Sequence, residues 1–116
     1  INVSSWSGNH VSLLSGVSYT SSKHALNAMT ETINMKYCNL GIRATALCPG
    51  EVATAILDKR PKKLSKEQKN KMLQPDDLGQ TIVFLCQMPK HVCINELTIS
   101  PTWHRRYIAD LGIEEL

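Results

Sequence analysis

The chain has 116 residues, enough for one small domain and too few for two. Apolar residues make up 42% and aromatics 5%, the balance of a soluble α/β protein, and a net charge of +3 is too mild to point to nucleic acid. No apolar run approaches the ~18 residues of a membrane helix and no signal-peptide pattern is present, so no membrane contact and a cytoplasmic setting are expected.

Ile1 to Ser4 reads as the end of a buried strand that delivers Ser4 and Ser5 to its C-terminal edge. Side chains alternate along a strand, so only one of these serines faces a given site. The loop Asn9 to Ser18 follows, and His10 in it reads as a solvated loop residue. Ser18 to Asn39 carries a helix signature: Leu26, Met29, Ile33, Tyr37 and Leu40 recur at three- and four-residue steps, with Gly41 as the stop. Tyr19 and Lys23 lie one turn apart on this helix, so phenol and ammonium project from the same face. A tyrosine in water titrates near pH ~10, too high for proton transfer at neutrality, and a cation one turn away favours the phenolate. One exposed lysine does not supply the whole shift, which calls for a second positive charge nearby.

Ile42 to Cys48 reads as a second buried strand ended by Pro49-Gly50. A helix joining two such strands is a βαβ crossover, which implies a parallel sheet with its site at the C-terminal strand ends. Gly50 has no side chain to keep the backbone from a flat ligand. From Leu57 to Leu73 the composition changes. Lys59, Arg60, Lys62, Lys63, Lys66, Lys69 and Lys71 stand against Glu67 alone once Asp58 has closed the preceding turn. Without interleaved aromatics, and with Pro61 breaking any long helix, this run reads as a solvated face rather than a nucleic-acid patch. Pro75-Asp76-Asp77 opens a further helix, with acidic residues at its positive end, a stripe of Leu78, Ile82, Leu85 and Cys86, and Pro89 as its stop. Asn95 to Ser100 is the third strand, and the tail Trp103 to Leu116 docks on a neighbouring subunit or frays. The four cysteines, Cys38, Cys48, Cys86 and Cys93, form no Cys-x-x-Cys pair and read as buried free thiols, so neither disulfide nor metal site is expected.

Serine hydrolase readings fail on the same residues. Gly16-Val17-Ser18-Tyr19-Thr20 lacks the second glycine of a nucleophile elbow, and Thr20 stands where a Ser-x-x-Lys acylation centre ending at Lys23 needs serine.

Three stretches in order, Asn2-Val3-Ser4-Ser5, Tyr19-x-x-x-Lys23 and Pro49-Gly50-Glu51-Val52-Ala53-Thr54, resemble the motifs of the short-chain dehydrogenase/reductase family. The resemblance spans nearly the whole chain. It implies a doubly wound, Rossmann-like α/β fold, of which residues 1–116 would be the C-terminal half: three strands, two main helices and a basic lid at 57–73 over the substrate. The dinucleotide-binding half, with its glycine-rich turn and the family's catalytic asparagine, would lie upstream. The implied activity is an NAD(P)-dependent oxidoreductase moving hydride between a nicotinamide cofactor and a carbonyl or secondary alcohol, inactive in this stretch alone. NADP and NAD both remain open. By resemblance Tyr19 is the acid/base, Lys23 supports it and holds the nicotinamide ribose, and Ser5, the second serine, orients and polarises the substrate. Pro49 and Gly50 form the turn beside the nicotinamide, with the Val52 backbone near the carboxamide and Thr54 near the diphosphate. A lid this basic would attract an acidic or phosphorylated substrate. The ending Asn95-Glu96-Leu97-x-Ile99-x-Pro101-Thr102 is similar to that of bacterial reductases acting on hydroxy acids and simple ketones. A homodimer or homotetramer through helix 19–39 is expected. The alternative is a non-catalytic fragment or pseudoenzyme serving as a dimerisation module, against which the intact Ser5-Tyr19-Lys23 set weighs.

Overall fold

The computed structural model describes residues 1–114. Three strands, β1 (Asn2–Val3), β2 (Ala46–Pro49) and β3 (Glu96–Ile99), form one parallel sheet in the order β1-β2-β3. The connections are α1 (Val17–Tyr37) between β1 and β2, and a longer passage with α2 (Lys66–Asn70) and α3 (Pro75–Cys86) between β2 and β3. A short α4 (Arg105–Asp110) follows β3. The expected α/β architecture with its parallel sheet is therefore present. Among the described residues no helix is long and apolar enough to cross a membrane.

Helix α1 ends where the sequence places its stop. Gly41 takes a left-handed φ of 73°, and the Ile42 amide reaches back to the Tyr37 carbonyl at 3.4 Å, a glycine-closed helix end that a Cβ would strain. The stripe that docks the helix differs from the expected one. Met29 is 49% exposed and Leu40 lies open, whereas Thr30 is 1% exposed and Thr20 is buried. The sheet side of α1 is the polar row Thr20, Lys23, Asn27, Thr30 and Asn34, spaced by three and four residues. Thr30 Oγ1 accepts from Asn2 Nδ2 at 3.0 Å and donates to the Leu26 carbonyl at 2.8 Å. Asn34 clasps the Ala44 backbone from both sides, accepting its N–H at 2.6 Å and donating to its C=O at 2.7 Å.

That clasp explains a second correction. Strand β2 begins at Ala46, not Ile42, because Asn34 occupies the Ala44 backbone and the Arg43 guanidinium binds the carbonyls of Met88, Pro89 and Val92. The core is correspondingly small: Ala44, Ala46, Leu47 and Cys48 from the sheet, with Leu57, Met72, Leu73, Leu85 and Ile108 around it. Leu85 alone of the expected α3 stripe is fully buried. Cys86 is exposed, as is Cys38, so only Cys48 is the buried thiol that all four were expected to be.

Strand β1 is the sheet's edge, and Val3 on it is 52% exposed rather than buried. The Asn2 and Ser4 amides both donate toward β2, at 2.8 and 2.7 Å, which turns the Val3 amide and carbonyl to the open side. The chain exposes 8091 Å², against roughly 6,300 Å² for a compact monomer of its 12.9 kDa. Val11, Leu13, Leu14 and Val17, in the segment leading into and opening α1, are apolar and exposed. An open strand edge on a chain with exposed apolar residues templates association. At micromolar concentration the 116-residue chain should elute from size exclusion as dimers or larger species, and Val3→Glu, which charges the edge without disturbing the core, should shift it toward monomer. A monodisperse wild-type monomer would show that the β1 edge is already protected.

Candidate active site

Ser5, two residues past the end of β1, caps a single 3-10 turn, Trp6–Gly8. Its Oγ accepts the Ser7 N–H at 3.1 Å, which uses a lone pair and leaves the hydroxyl hydrogen for another acceptor. Ser4 and Ser5 are both buried, and the Ser4 hydroxyl donates to the Lys23 carbonyl at 3.4 Å. The Ser5 turn thus packs against the stretch of α1 that holds Tyr19 and Lys23. Those two keep the geometry their spacing implies: the Lys23 ammonium lies 5.6 Å from the Tyr19 ring centre, and the phenol is 47% exposed. Lys23 Nζ donates to the Val3 carbonyl at 3.2 Å, occupying an acceptor on the open β1 edge.

The second motif forms a loop on β2. Gly50 sits at a close approach within the chain itself: a Cβ there would lie 3.2 Å from Ser100 Cβ and 3.3 Å from Pro101 Cδ. Past Pro49-Gly50 the backbone pairs with Leu73 in a short parallel bridge. The Leu73 amide donates to the Glu51 carbonyl at 3.1 Å and the Ala53 amide to the Leu73 carbonyl at 2.8 Å. Parallel pairing through Glu51 and Ala53 turns the Val52 N–H and C=O to the opposite side. A donor and an acceptor side by side there complement a primary carboxamide. Thr54 is exposed at the start of the next 3-10 turn (Ala55–Lys59), and its side chain caps nothing.

The 57–73 segment is pinned at its ends by buried Leu57 and Leu73. Pro61 separates the 3-10 turn from α2, which carries a Ser65–Gln68 capping box. Its charges are partly paired: Arg60 with Glu51 at 3.2 Å, Lys69 with Asp58 at 2.8 Å, Lys71 with Glu67 at 3.6 Å and over the Trp103 ring at 4.4 Å.

The tail does not fray at α4, which packs on the same chain; Glu115 and Leu116 lie outside the described residues. Helix α4 folds back on the Ser5 turn through an aromatic cluster. His10 stacks on Trp6 at 4.1 Å and is no solvated loop residue, His104 leans on the Trp6 ring at 4.5 Å, and Tyr107 stacks on His104 at 4.3 Å. Arg105 of α4 reaches Glu51 at 3.3 Å, so this one carboxylate ties the lid and the tail to the loop after β2. Trp6-x-x-x-His10 and His104-x-x-Tyr107 were local signals of side-chain pairs, but nothing local pairs residue 6 with residue 104.

A family model described as short chain dehydrogenase matches residues 1–65. The chain belongs to the short-chain dehydrogenase family. Human dehydrogenase/reductase SDR family member 11 is 32% identical over 110 residues, covering 88% of this chain and 42% of the relative. A β-ketoacyl-[ACP] reductase of Bacteroides thetaiotaomicron superposes with a TM-score of 0.67 at 32% identity, over 92% of this chain and 42% of that one. An alcohol dehydrogenase of the archaeon Thermococcus sibiricus, complexed with 5-hydroxy-NADP, gives a TM-score of 0.71 at 26% identity, over 89% and 41%. The chain spans about two fifths of the length of these relatives.

The aromatic cluster makes the tail's docking sensitive to pH. His104 Nδ1 accepts the Arg106 N–H at 3.2 Å as the cap of α4, which only the unprotonated ring can do. Burial holds this imidazole below its ordinary value of 6.5, opposed by Glu51 and assisted by Arg106 and His10. The unfolded chain therefore takes up the proton first as pH falls. The stability involved is complete above about pH 6.5 and is lost as pH falls from there toward the lower folded-state value. His104→Asn, a cap that does not titrate, should flatten the stability curve between about pH 7 and pH 5 in urea titrations. A mutant curve as steep as the wild-type one would remove His104 from the pH response.

Proposed function

We propose that the protein containing this chain is an NAD(P)-dependent oxidoreductase that moves a hydride between a nicotinamide cofactor and a carbonyl or secondary alcohol carbon. The observation that carries the reading is the convergence of the Ser5 turn on the α1 turn bearing Tyr19 and Lys23, at the C-terminal end of β1. The site lies where parallel α/β sheets bind their ligands. The bound cofactor supplies or accepts the hydride. The relatives' names and the NADP derivative in the archaeal enzyme support that cofactor class without choosing between NAD and NADP.

In this reading Tyr19 Oη donates a proton to the substrate oxygen in reduction and takes it in oxidation. Its exposure gives substrate access, and the Lys23 ammonium supplies positive charge beside the phenolate as the proton leaves. Ser5, whose hydroxyl hydrogen is uncommitted by its capping bond, donates to the same substrate oxygen and polarises it. The Val52 amide and carbonyl would hold the carboxamide of the cofactor, and Thr54 Oγ1 its diphosphate. Lys23 would leave the Val3 carbonyl to reach the ribose hydroxyls. The basic segment 57–73, with Lys62, Lys63 and Lys66 outside every ion pair among the described residues, serves as a lid favouring an acidic substrate. Exposed residues of α1 such as Met29 and Met35 would meet a second copy in a homodimer or homotetramer.

Tyr19→Phe in the complete protein should lower kcat by at least about a hundredfold with cofactor affinity nearly unchanged, since it removes only the transferable proton. Lys23→Ala should damage both. Near-normal turnover by the Tyr19→Phe enzyme, in an assay of NAD(P)H oxidation with simple ketones or hydroxy acids, would eliminate Tyr19 as the acid/base.

A further inference from the structure

The three proposed catalytic side chains come from two separate pieces of chain. Tyr19 and Lys23 are on α1, and Ser5 is on a 3-10 turn that holds itself together through its own cap. Something must fix the distance between the two pieces, and beside the Ser4–Lys23 bond a polar cluster among the described residues touches both.

Asn27 is its centre, one turn beyond Lys23 on the sheet-facing row of α1. Its Nδ2 donates to Asn9 Oδ1 at 3.2 Å, at the end of the Ser5 turn, and approaches the buried Cys48 Sγ at 3.7 Å. Asn9 in turn donates through Nδ2 to Glu96 on β3. Gly8, inside the turn, is seated directly on the same carboxamide. A Cβ there would come within 2.5 Å of Asn27 Nδ2 and 2.8 Å of Ser4 Oγ. The turn is closed between these points by backbone bonds from Gly8 N–H to the Ser5 carbonyl at 2.8 Å and from Asn9 N–H to the Trp6 carbonyl at 3.1 Å. A shift at Gly8 or Asn9 is therefore passed to Ser5 within one turn.

We propose that Asn27 is a positioning residue, which through Gly8 and Asn9, with Glu96 as the outer anchor, sets the Ser5 hydroxyl against Tyr19 and Lys23. It touches neither substrate nor cofactor in this arrangement. The inference rests on the reading of Ser5, Tyr19 and Lys23 given above. Loosening the link leaves cofactor binding intact, because Val52, Thr54 and Lys23 keep their places, and misplaces only the group that polarises the substrate. Displacement of a reacting group by about 1 Å is enough for roughly a hundredfold loss in rate.

The test is a double-mutant cycle on the complete enzyme with Asn9→Ala and Asn27→Ala, scored as kcat per cofactor-binding site so that unfolded protein does not count. Each single variant should lower kcat roughly ten- to a hundredfold, with the cofactor KM within about twofold of wild type and the pH profile unmoved. The double variant should be no worse than the poorer single, since both cut one link. Asn9→Ala lies in the loop after the turn and leaves the α1 packing in place, so it decides the matter even if Asn27→Ala does not fold. An Asn9→Ala enzyme with unchanged kcat, or losses that multiply in the double variant, would overturn the proposal. Tyr19→Phe, assayed alongside, separates the two levels: retained turnover there removes the underlying acid/base reading, whereas its loss together with an unaffected Asn9→Ala enzyme removes the positioning role alone.

Discussion

The bidentate bond between the Asn34 carboxamide and the Ala44 backbone is the contact on which the arrangement depends. Ala44 is buried, and without Asn34 its N–H would lose its partner and its C=O would keep only a weak contact with the Cys93 thiol at 3.6 Å. The side chain takes the place of a strand partner and fixes the C-terminal end of α1 against the approach to β2. Three turns back along the same row, Lys23 and Ser4 fix the N-terminal end against β1. Between them Thr30 holds Asn2, and Asn27 holds the turn after Ser5. The helix is thereby set in register and rotation by hydrogen bonds of fixed geometry, which apolar contact alone would leave adjustable. Since Tyr19 and Lys23 belong to this helix and Ser5 to the strand end it rests on, the same seam that docks the helix builds the candidate site.

This polar docking also accounts for the uneven legibility of the sequence. The helix boundaries were readable, because Gly41 and the periodicity are local signals. The buried face was read only in part, since Leu26 and Ile33 are half-buried but Met29 and Leu40 lie open. Leu26, Met29, Ile33, Tyr37 and Leu40 satisfy the helical period as well as Thr20, Lys23, Asn27, Thr30 and Asn34 do, and the usual rule chooses the apolar set. That rule assumes burial is driven by apolar area, and it fails where the sheet offers unpaired backbone groups that a carboxamide or hydroxyl can satisfy. The late start of β2 has the same origin, since Ile42 to Thr45 has strand composition but the Ala44 backbone in its middle is bonded by the Asn34 side chain. Helix α3 followed its signals closely, with Pro75 in its first turn and Asp77 completing a capping box with Gln74, because those determinants all lie within a few residues.

Of the candidate site, Tyr19-x-x-x-Lys23 was legible because it lies within one helix and needs no long-range information. Val52 was singled out by resemblance alone, and the pairing of its neighbours with Leu73, which turns its N–H and C=O outward, is visible only in the fold. Gly50 was also singled out, yet the crowding it relieves comes from Ser100 and Pro101 at the end of β3. The aromatic contact of Trp6 and His10 with His104 and Tyr107, and the engagement of Glu51 by Arg105, join segments some fifty to a hundred residues apart in a sequence of 116. No periodicity or local motif encodes such pairings.

The central claim is that α1 is held by its polar row and not by its apolar stripe. The direct measurement is the urea-unfolding free energy of Asn34→Ala set against that of Met29→Ala, both made in the edge-blocked Val3→Glu chain so that association does not intervene. Loss of the clasp strands buried backbone groups at Ala44, so Asn34→Ala should cost about 2–4 kcal/mol, while Met29→Ala on the open face should stay within about 0.5 kcal/mol. A Met29→Ala cost equal to or greater than that of Asn34→Ala would contradict the account.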